Sequence, residues 1–216
     1  GCAKIIDNNI SNNKNAGINL WGGEYGNDIR SNHLFSNRYG IWNDEGLFNT
    51  FSYNLIENNT IGISFWSKEQ KNKCCENKIH SNHIRRNDHC GMILGYLTQN
   101  LIYNNTFEEN GDCGLNVLVG CDDNTIYHNN FINNGRHYIG KKKCANAADN
   151  LRGNKWYNIS TEEGNYWCDY CNRTRNDFPL DPEDYRGVWN NVVRDATYQL
   201  PYYVKIYMLG INLYFD

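Results

Sequence analysis

Three tryptophans stand at set distances behind a recurrent glycine: Trp42 is two residues after Gly40, and Trp21 and Trp66 are four after Gly17 and Gly62. Indole rings are large apolar surfaces that can lie against the C–H faces of sugars. Glu24, Asp44 and Glu45 lie close by in sequence and can accept hydrogen bonds from hydroxyl groups. These six residues form a candidate glycan-binding set. The competing reading packs the rings under a loop such as WGGEYGND, residues 21–28, or against a further domain.

The nine cysteines also keep step. Cys90 and Cys113 each immediately precede a recurrent glycine, Cys121, Cys144 and Cys168 form a second column, and Cys168 with Cys171 makes a CxxC. Cys90, Cys113, Cys121, Cys144, Cys168 and Cys171 are the disulfide candidates of an exported protein, and with an odd total at least one thiol stays unpaired within the chain. A metal centre is not expected from the cysteines, because the CxxC has no second pair at zinc-site spacing. His89, beside Cys90 and near Cys113, is the one soft N/S combination the order of residues suggests.

Acid–base chemistry has weaker support. Asp44-Glu45, Glu108-Glu109, Asp122-Asp123 and Glu162-Glu163 are carboxylate pairs, but neighbours along a strand point to opposite faces. Glycoside hydrolysis needs two carboxylates across one bond. The Asn-Thr-Asp, Gly-His-Gly and Arg-x-Pro-x-x-Arg motifs of β-helical pectin-degrading enzymes are absent. These pairs therefore read as solvated loops, with a polysaccharide lyase or glycoside hydrolase as the alternative. No catalytic residue and no cofactor is assigned.

The elements that must position these side chains come from a repeat. IHSNHIRRN (79–87), IYNNTFEEN (102–110) and IYHNNFINN (126–134) share an apolar residue, Asn, apolar residue, Asn order. The first Asn recurs at Asn8, Asn32, Asn54, Asn82, Asn105, Asn129 and Asn154, in steps of 22 to 28 residues. An apolar residue stands three before each anchor, from Ile5 to Leu151, and another two after it, from Ile10 to Trp156. Gly17-Ile18, Gly40-Ile41, Gly62-Ile63, Gly91-Met92 and Gly114-Leu115 complete the unit. Short alternations without helical spacing, at this period, predict an all-β, right-handed parallel β-helix of about seven coils. The anchors are expected to stack as an Asn ladder at a bend, and the glycines to serve a positive φ or a close approach.

Composition agrees with a placed, not scattered, polarity. Mean hydropathy is -0.75 although 40% of residues are apolar or aromatic, and disorder would not hold register. A net charge of -3 without a basic stripe argues against nucleic acid. No run is long enough to span a bilayer, and no signal peptide is recognisable. The chain does not begin with Met, which reads as a processed product or an excised part.

The repeats occupy residues 1–160 and a C-terminal capping segment 161–216. All three prolines lie beyond residue 178, and tyrosines crowd YYVKIYMLGINLYFD at the end. An alternating strand there would cover the last coil's open edge. The first coil has no such cover, so a further N-terminal domain or a head-to-tail neighbour is expected to meet it.

The Asn-anchored repeat resembles the NosD-like group of right-handed parallel β-helices, common in archaeal surface proteins and related to carbohydrate-binding and sugar-hydrolase β-helices. GNYWCDY (164–170) and DFPLDP (177–182) resemble the segment that closes the helix in that group, with Cys168 in place of Ser and a shortened acidic stretch between. The resemblance implies a β-helix at the cell surface or outside the cell. It also raises copper as the group's namesake metal, giving a periplasmic copper-binding protein as a further alternative. Of the six histidines, His33, His80, His83, His89, His128 and His137, His33 and His83 follow their anchors in coils that are not adjacent, and no Met cluster accompanies them, so surface turns are the expected role. The expected function is a non-enzymatic surface or assembly module, with polysaccharide or cell-surface glycan, or a second copy, as partner.

Overall fold

The computed structural model describes residues 2–22, 25–67, 75–118, 120–135, 146–149, 153–158, 160–161 and 164–167. Among these, all regular structure is strand. The first coil is β1 (Lys4–Ile6), β2 (Asn9–Ser11) and β3 (Ala16–Trp21); the second is β4 (Asp28–Arg30), β5 (His33–Phe35) and β6 (Tyr39–Asp44). The third is β7 (Thr50–Ser52), β8 (Leu55–Glu57) and β9 (Ile61–Trp66); the fourth is β10 (Lys78–His80), β11 (His83–Arg85) and β12 (Cys90–Gly95). The fifth is β13 (Leu101–Tyr103), β14 (Thr106–Glu108) and β15 (Cys113–Val117). Less regular strands follow: β16 (Thr125–Tyr127), β17 (Asn130–Ile132), β18 (Ala147–Asp149) and β19 (Tyr166–Trp167).

Strands one coil apart pair in parallel and build three sheets. The first holds β1, β4, β7, β10, β13 and β16; the second β2, β5, β8, β11, β14, β17 and β19; the third β3, β6, β9, β12, β15 and β18. The protein is a parallel β-solenoid, and the preference of parallel crossovers for one hand implies a right-handed turn. Among the described residues, regular coils number five instead of the expected seven: beyond β15, long intervals separate β17 from β18 and β18 from β19. β19 extends the second sheet past residue 160, while residues 168–216, most of the expected cap, lie outside the described residues.

The core is a set of columns set by the pleat. In a three-residue strand only the centre faces inward, so Ile29, Phe51, Ile79, Ile102 and Ile126 form one buried column and Leu34, Ile56, Ile84, Phe107 and Phe131 another. In the third sheet, Ile18, Ile41, Ile63, Met92 and Leu115 make a column, and Leu20, Asn43, Phe65, Leu94, Val117 and Asp149 make the next. Burying each such apolar side chain contributes roughly 1.5–3 kcal/mol.

Asn shapes the corners. Three ladders run along the solenoid: Asn27–Asn49–Asn77–Asn100–Asn124–Asn154 before the first sheet, Asn8–Asn32–Asn54–Asn82–Asn105–Asn129–Asn165 before the second, and Asn13–Asn37–Asn59–Asn87–Asn110–Asn134–Asn146 before the third. At Asn105, Oδ1 accepts from the backbone N–H and Nδ2 of Asn82, at 3.0 and 2.9 Å. Its own Nδ2 donates to Asn129 Oδ1, to Ile79 O and to Tyr103 O, so the amide's whole capacity is used inside the turn. The residue before most ladder asparagines has positive φ, from Asp7 and Asn12 to Phe48, Tyr53, Arg86 and His128. That conformation disfavours side chains of this size; the amide bonds offset its cost.

Asn154 is a correction. Its spacing places it on the Asn8 ladder, but the structure puts it above Asn124 on the ladder before the first sheet, and Asn165 takes the expected place. Lys155 bridges Thr125 of β16, so Asn154 stands at the corner that leads into the first sheet. Trp156, buried next to Phe131, follows it. The recurrent glycines answer to close approach: a Cβ on Gly62 would collide with Gly91 O, and one on Gly91 would lie 2.6 Å from Gly114 O.

Candidate functional site

The outer face of the third sheet carries the tryptophans in two rows, because side chains two apart on a strand share a face. Trp21, Asp44, Trp66 and Gly95 are in register in one row, while Asn19, Trp42, Ser64 and Ile93 form the other. Trp21 and Trp42 come together edge to face, with centroids 6.4 Å apart, and Tyr39 lies 5.2 Å behind Trp42. Trp21 is 56% exposed, and Tyr25, equally exposed, bridges through its backbone to Leu47 nearby.

Trp66 separates from this pair. Its ring lies over Gly95, where a Cβ would collide with it, and it contacts Tyr96 edge to face at 5.5 Å. Tyr96 in turn covers Gly120. Trp66 thus packs up the solenoid, away from Trp21. The carboxylates divide too: Asp44 is 3% exposed, Glu45 is half-buried in a left-handed turn, and Glu24 lies outside the described residues. Asp44 is therefore a buried neighbour of the rings instead of an open acceptor for hydroxyl groups.

The other two outer faces bring together residues that the sequence reading named only singly or not at all. On the first sheet, His80, Tyr103 and Tyr127 stack face on face, with centroids 4.8 and 5.4 Å apart. Their positions each follow the first apolar residue of the repeat, a signal that was available in the spacing. Burial, with Lys78 beside it, holds the His80 imidazole below its ordinary value. Beside this stack a depression of about 450 Å³ is lined by Phe48, Thr50, Glu76, Lys78, Gln99 and Leu101.

On the second sheet the outer face is charged. His33 Nε2 and Arg85 Nε lie 2.9 and 2.8 Å from the two oxygens of Glu57, and His83 Nε2 lies 2.7 Å from Glu108. Burial alone would raise the Glu57 carboxyl, but hydrogen bonds from Arg85 and His33, with the charges these carry, hold it below the ordinary carboxylate range.

The cysteines resolve unevenly. Cys90 and Cys113 are in register and buried, with their sulfurs 2.9 Å apart. Cys121 is fully buried, accepts a hydrogen bond from Leu97 N–H at 3.4 Å, and has its thiol pushed up to about 11 by burial. Cys144, Cys168 and Cys171 lie outside the described residues, as does His137.

Copper donors can be tested against this geometry. His89 Nδ1 lies 2.7 Å from Asp112 on the surface, while Cys90 and Cys113 are buried. Among the described residues, no three of His, Cys, Asp and Glu come together as a metal site.

Comparison with curated proteins gave no match, and neither did comparison with solved structures. A family model, described as periplasmic copper-binding protein (NosD), matches residues 1–79 and 72–171. The matched span covers all five regular coils and reaches the end of GNYWCDY. Given that span and the solenoid it describes, this chain belongs to the NosD family.

Proposed function

We propose that this chain is an exported, non-enzymatic β-helical module that binds glycans through the aromatic end of its third sheet. The observation that carries the reading is the Trp21–Trp42 pair, one ring more than half exposed and both mounted on strands held by the Asn ladders. An indole on a rigid strand loses little entropy when a sugar stacks on it. The first-sheet tyrosines are less suited, because rings stacked on one another turn their faces to each other.

The nearby carboxylates favour binding over cleavage. Asp44 is buried and Glu45 half-buried in a left-handed turn, whereas hydrolysis needs two carboxylates facing one bond. The family's description as periplasmic supports an exported location. Its copper binding is not carried over, since the described residues supply no fitting donor set.

The test is a glycan array probed with the wild type, a Trp21→Ala/Trp42→Ala variant and a Tyr103→Ala/Tyr127→Ala variant. Binding by the wild type, lost in the Trp variant and kept in the Tyr variant, is the expected pattern. Binding that survives in the Trp variant, or no binding by any form, overturns the proposal.

A further inference from the structure

Cys90 and Cys113 open β12 and β15, and the two strands pair in parallel with these cysteines directly opposite. Paired strands lie about 4.8 Å apart, inside the range of Cα separations, about 4.4–6.8 Å, that a disulfide spans. The two sulfurs already approach to 2.9 Å. Less than about 1 Å of further approach separates this contact from a bond.

The contact is fixed by its neighbours on both coils. Arg86 Nε donates to Glu109 at 2.8 Å, Asn87 Nδ2 donates to Asn110 Oδ1 at 2.9 Å, and His89 Nδ1 lies 2.7 Å from Asp112. Each contact links residues 23 apart, as the two cysteines are. The thiols meet because these contacts hold the two coils in register. Cys121 is placed differently, buried in the core with its sulfur turned to the Leu97 N–H. Thiol–disulfide exchange proceeds through the thiolate, and burial of Cys121 disfavours that form.

We propose that Cys90 and Cys113 form an inter-coil disulfide in the mature protein, stapling the fourth and fifth coils. Each thiol loses its proton, the S–S bond forms, and the electron pair passes to a thiol–disulfide oxidant, whose own disulfide becomes two thiols. The staple closes a loop spanning 23 residues and restricts the unfolded chain. The glycan reading is independent of it.

The test refolds the full chain in a buffer of oxidised and reduced glutathione, alkylates remaining thiols, and maps peptides after cleavage at Lys, Arg and Glu. Arg86 and Glu108 bound the peptide with Cys90, while Glu109 and Arg136 bound the peptide with Cys113 and Cys121. Fragmentation between the last two assigns the bond. A Cys90–Cys113 link that disappears on reduction is expected, with Cys121 alkylated only after denaturation. In parallel, reduction should lower the urea midpoint of the wild type and of Cys121→Ala, and leave that of Cys90→Ala/Cys113→Ala unmoved. Full alkylation of Cys90 in the folded protein, or its linkage to another cysteine, overturns the proposal.

Discussion

The short corners within a coil and the long return from the third sheet to the first follow different rules. From the first sheet to the second, two residues suffice in each regular coil, one of positive φ and one ladder Asn, as at Tyr53-Asn54 and Ser81-Asn82. The return varies: Asp44 to Thr50 is short, Trp66 to Lys78 long, and most of the spread in the ladder intervals, from 22 to 28 residues, follows from it. The amides of this first corner leave no room for an extra residue, whereas the return crosses the outside of the solenoid. The rings of Trp21, Tyr25, Phe48, Trp66 and Tyr96 gather on or beside this return. Constancy belongs to the scaffold, and variation to the surface that can acquire a ligand.

The sharpest way to break this comparison is to insert one residue at each place. An insertion between Asn82 and Ile84 moves Ile84 from the core face to solvent and shifts Asn87 off its ladder. Loss of the cooperative unfolding transition, followed by circular dichroism, is expected. The same insertion after Gly22, where a Cβ would have no atom within 4 Å, should leave the midpoint within about 0.5 kcal/mol of wild type. Equal damage at the two sites would end the distinction.

A smaller loss is expected for Asn105→Ala. It strips partners from the Asn82 N–H and amide and from Ile79 O, all inside the solenoid. Each stranded buried group costs about 1–3 kcal/mol, so urea denaturation should show a loss of about 3 kcal/mol or more. Gly91→Ala should cost about 1–3 kcal/mol in the same assay, because its methyl meets Gly114 O. Gly22→Ala, open but at φ 72°, should lose about 1 kcal/mol through backbone strain alone.

The smallest effect concerns pH. Glu57 is held below the ordinary carboxylate range in the folded protein, so its pairing with Arg85 and His33 stabilises fully above the unfolded value, about 4.3. That contribution fades as pH falls through the lower folded value. Urea midpoints measured across this acid range should fall less steeply for Glu57→Gln than for wild type. Identical slopes would show that the charged face of the second sheet adds nothing to stability.

Much of the scaffold was legible because its constraints repeat locally. Two of the three Asn columns, the inward apolar positions and the close-packed glycines all follow from spacing. The third column, at Asn27, Asn49, Asn77, Asn100 and Asn124, stands five residues before each anchor and was visible in the same way. Asn154 was misplaced because the regular step fails after β17, and an Asn between apolar residues looks alike at any corner. The site was less legible. Alternation put three tryptophans outward, but could not say that Trp66 leans over Gly95 while Trp21 meets Trp42.

The sequence by itself determined the class of fold, since five-residue spacing between ladder asparagines leaves room for one strand and one corner and sends one apolar residue inward each time. Tertiary structure alone decided the burial of Asp44, the division among the tryptophans and the 2.9 Å approach of Cys90 to Cys113. Backbone periodicity is a local property that each coil repeats, whereas ring direction and sulfur distance depend on which side chains the neighbouring coils bring alongside.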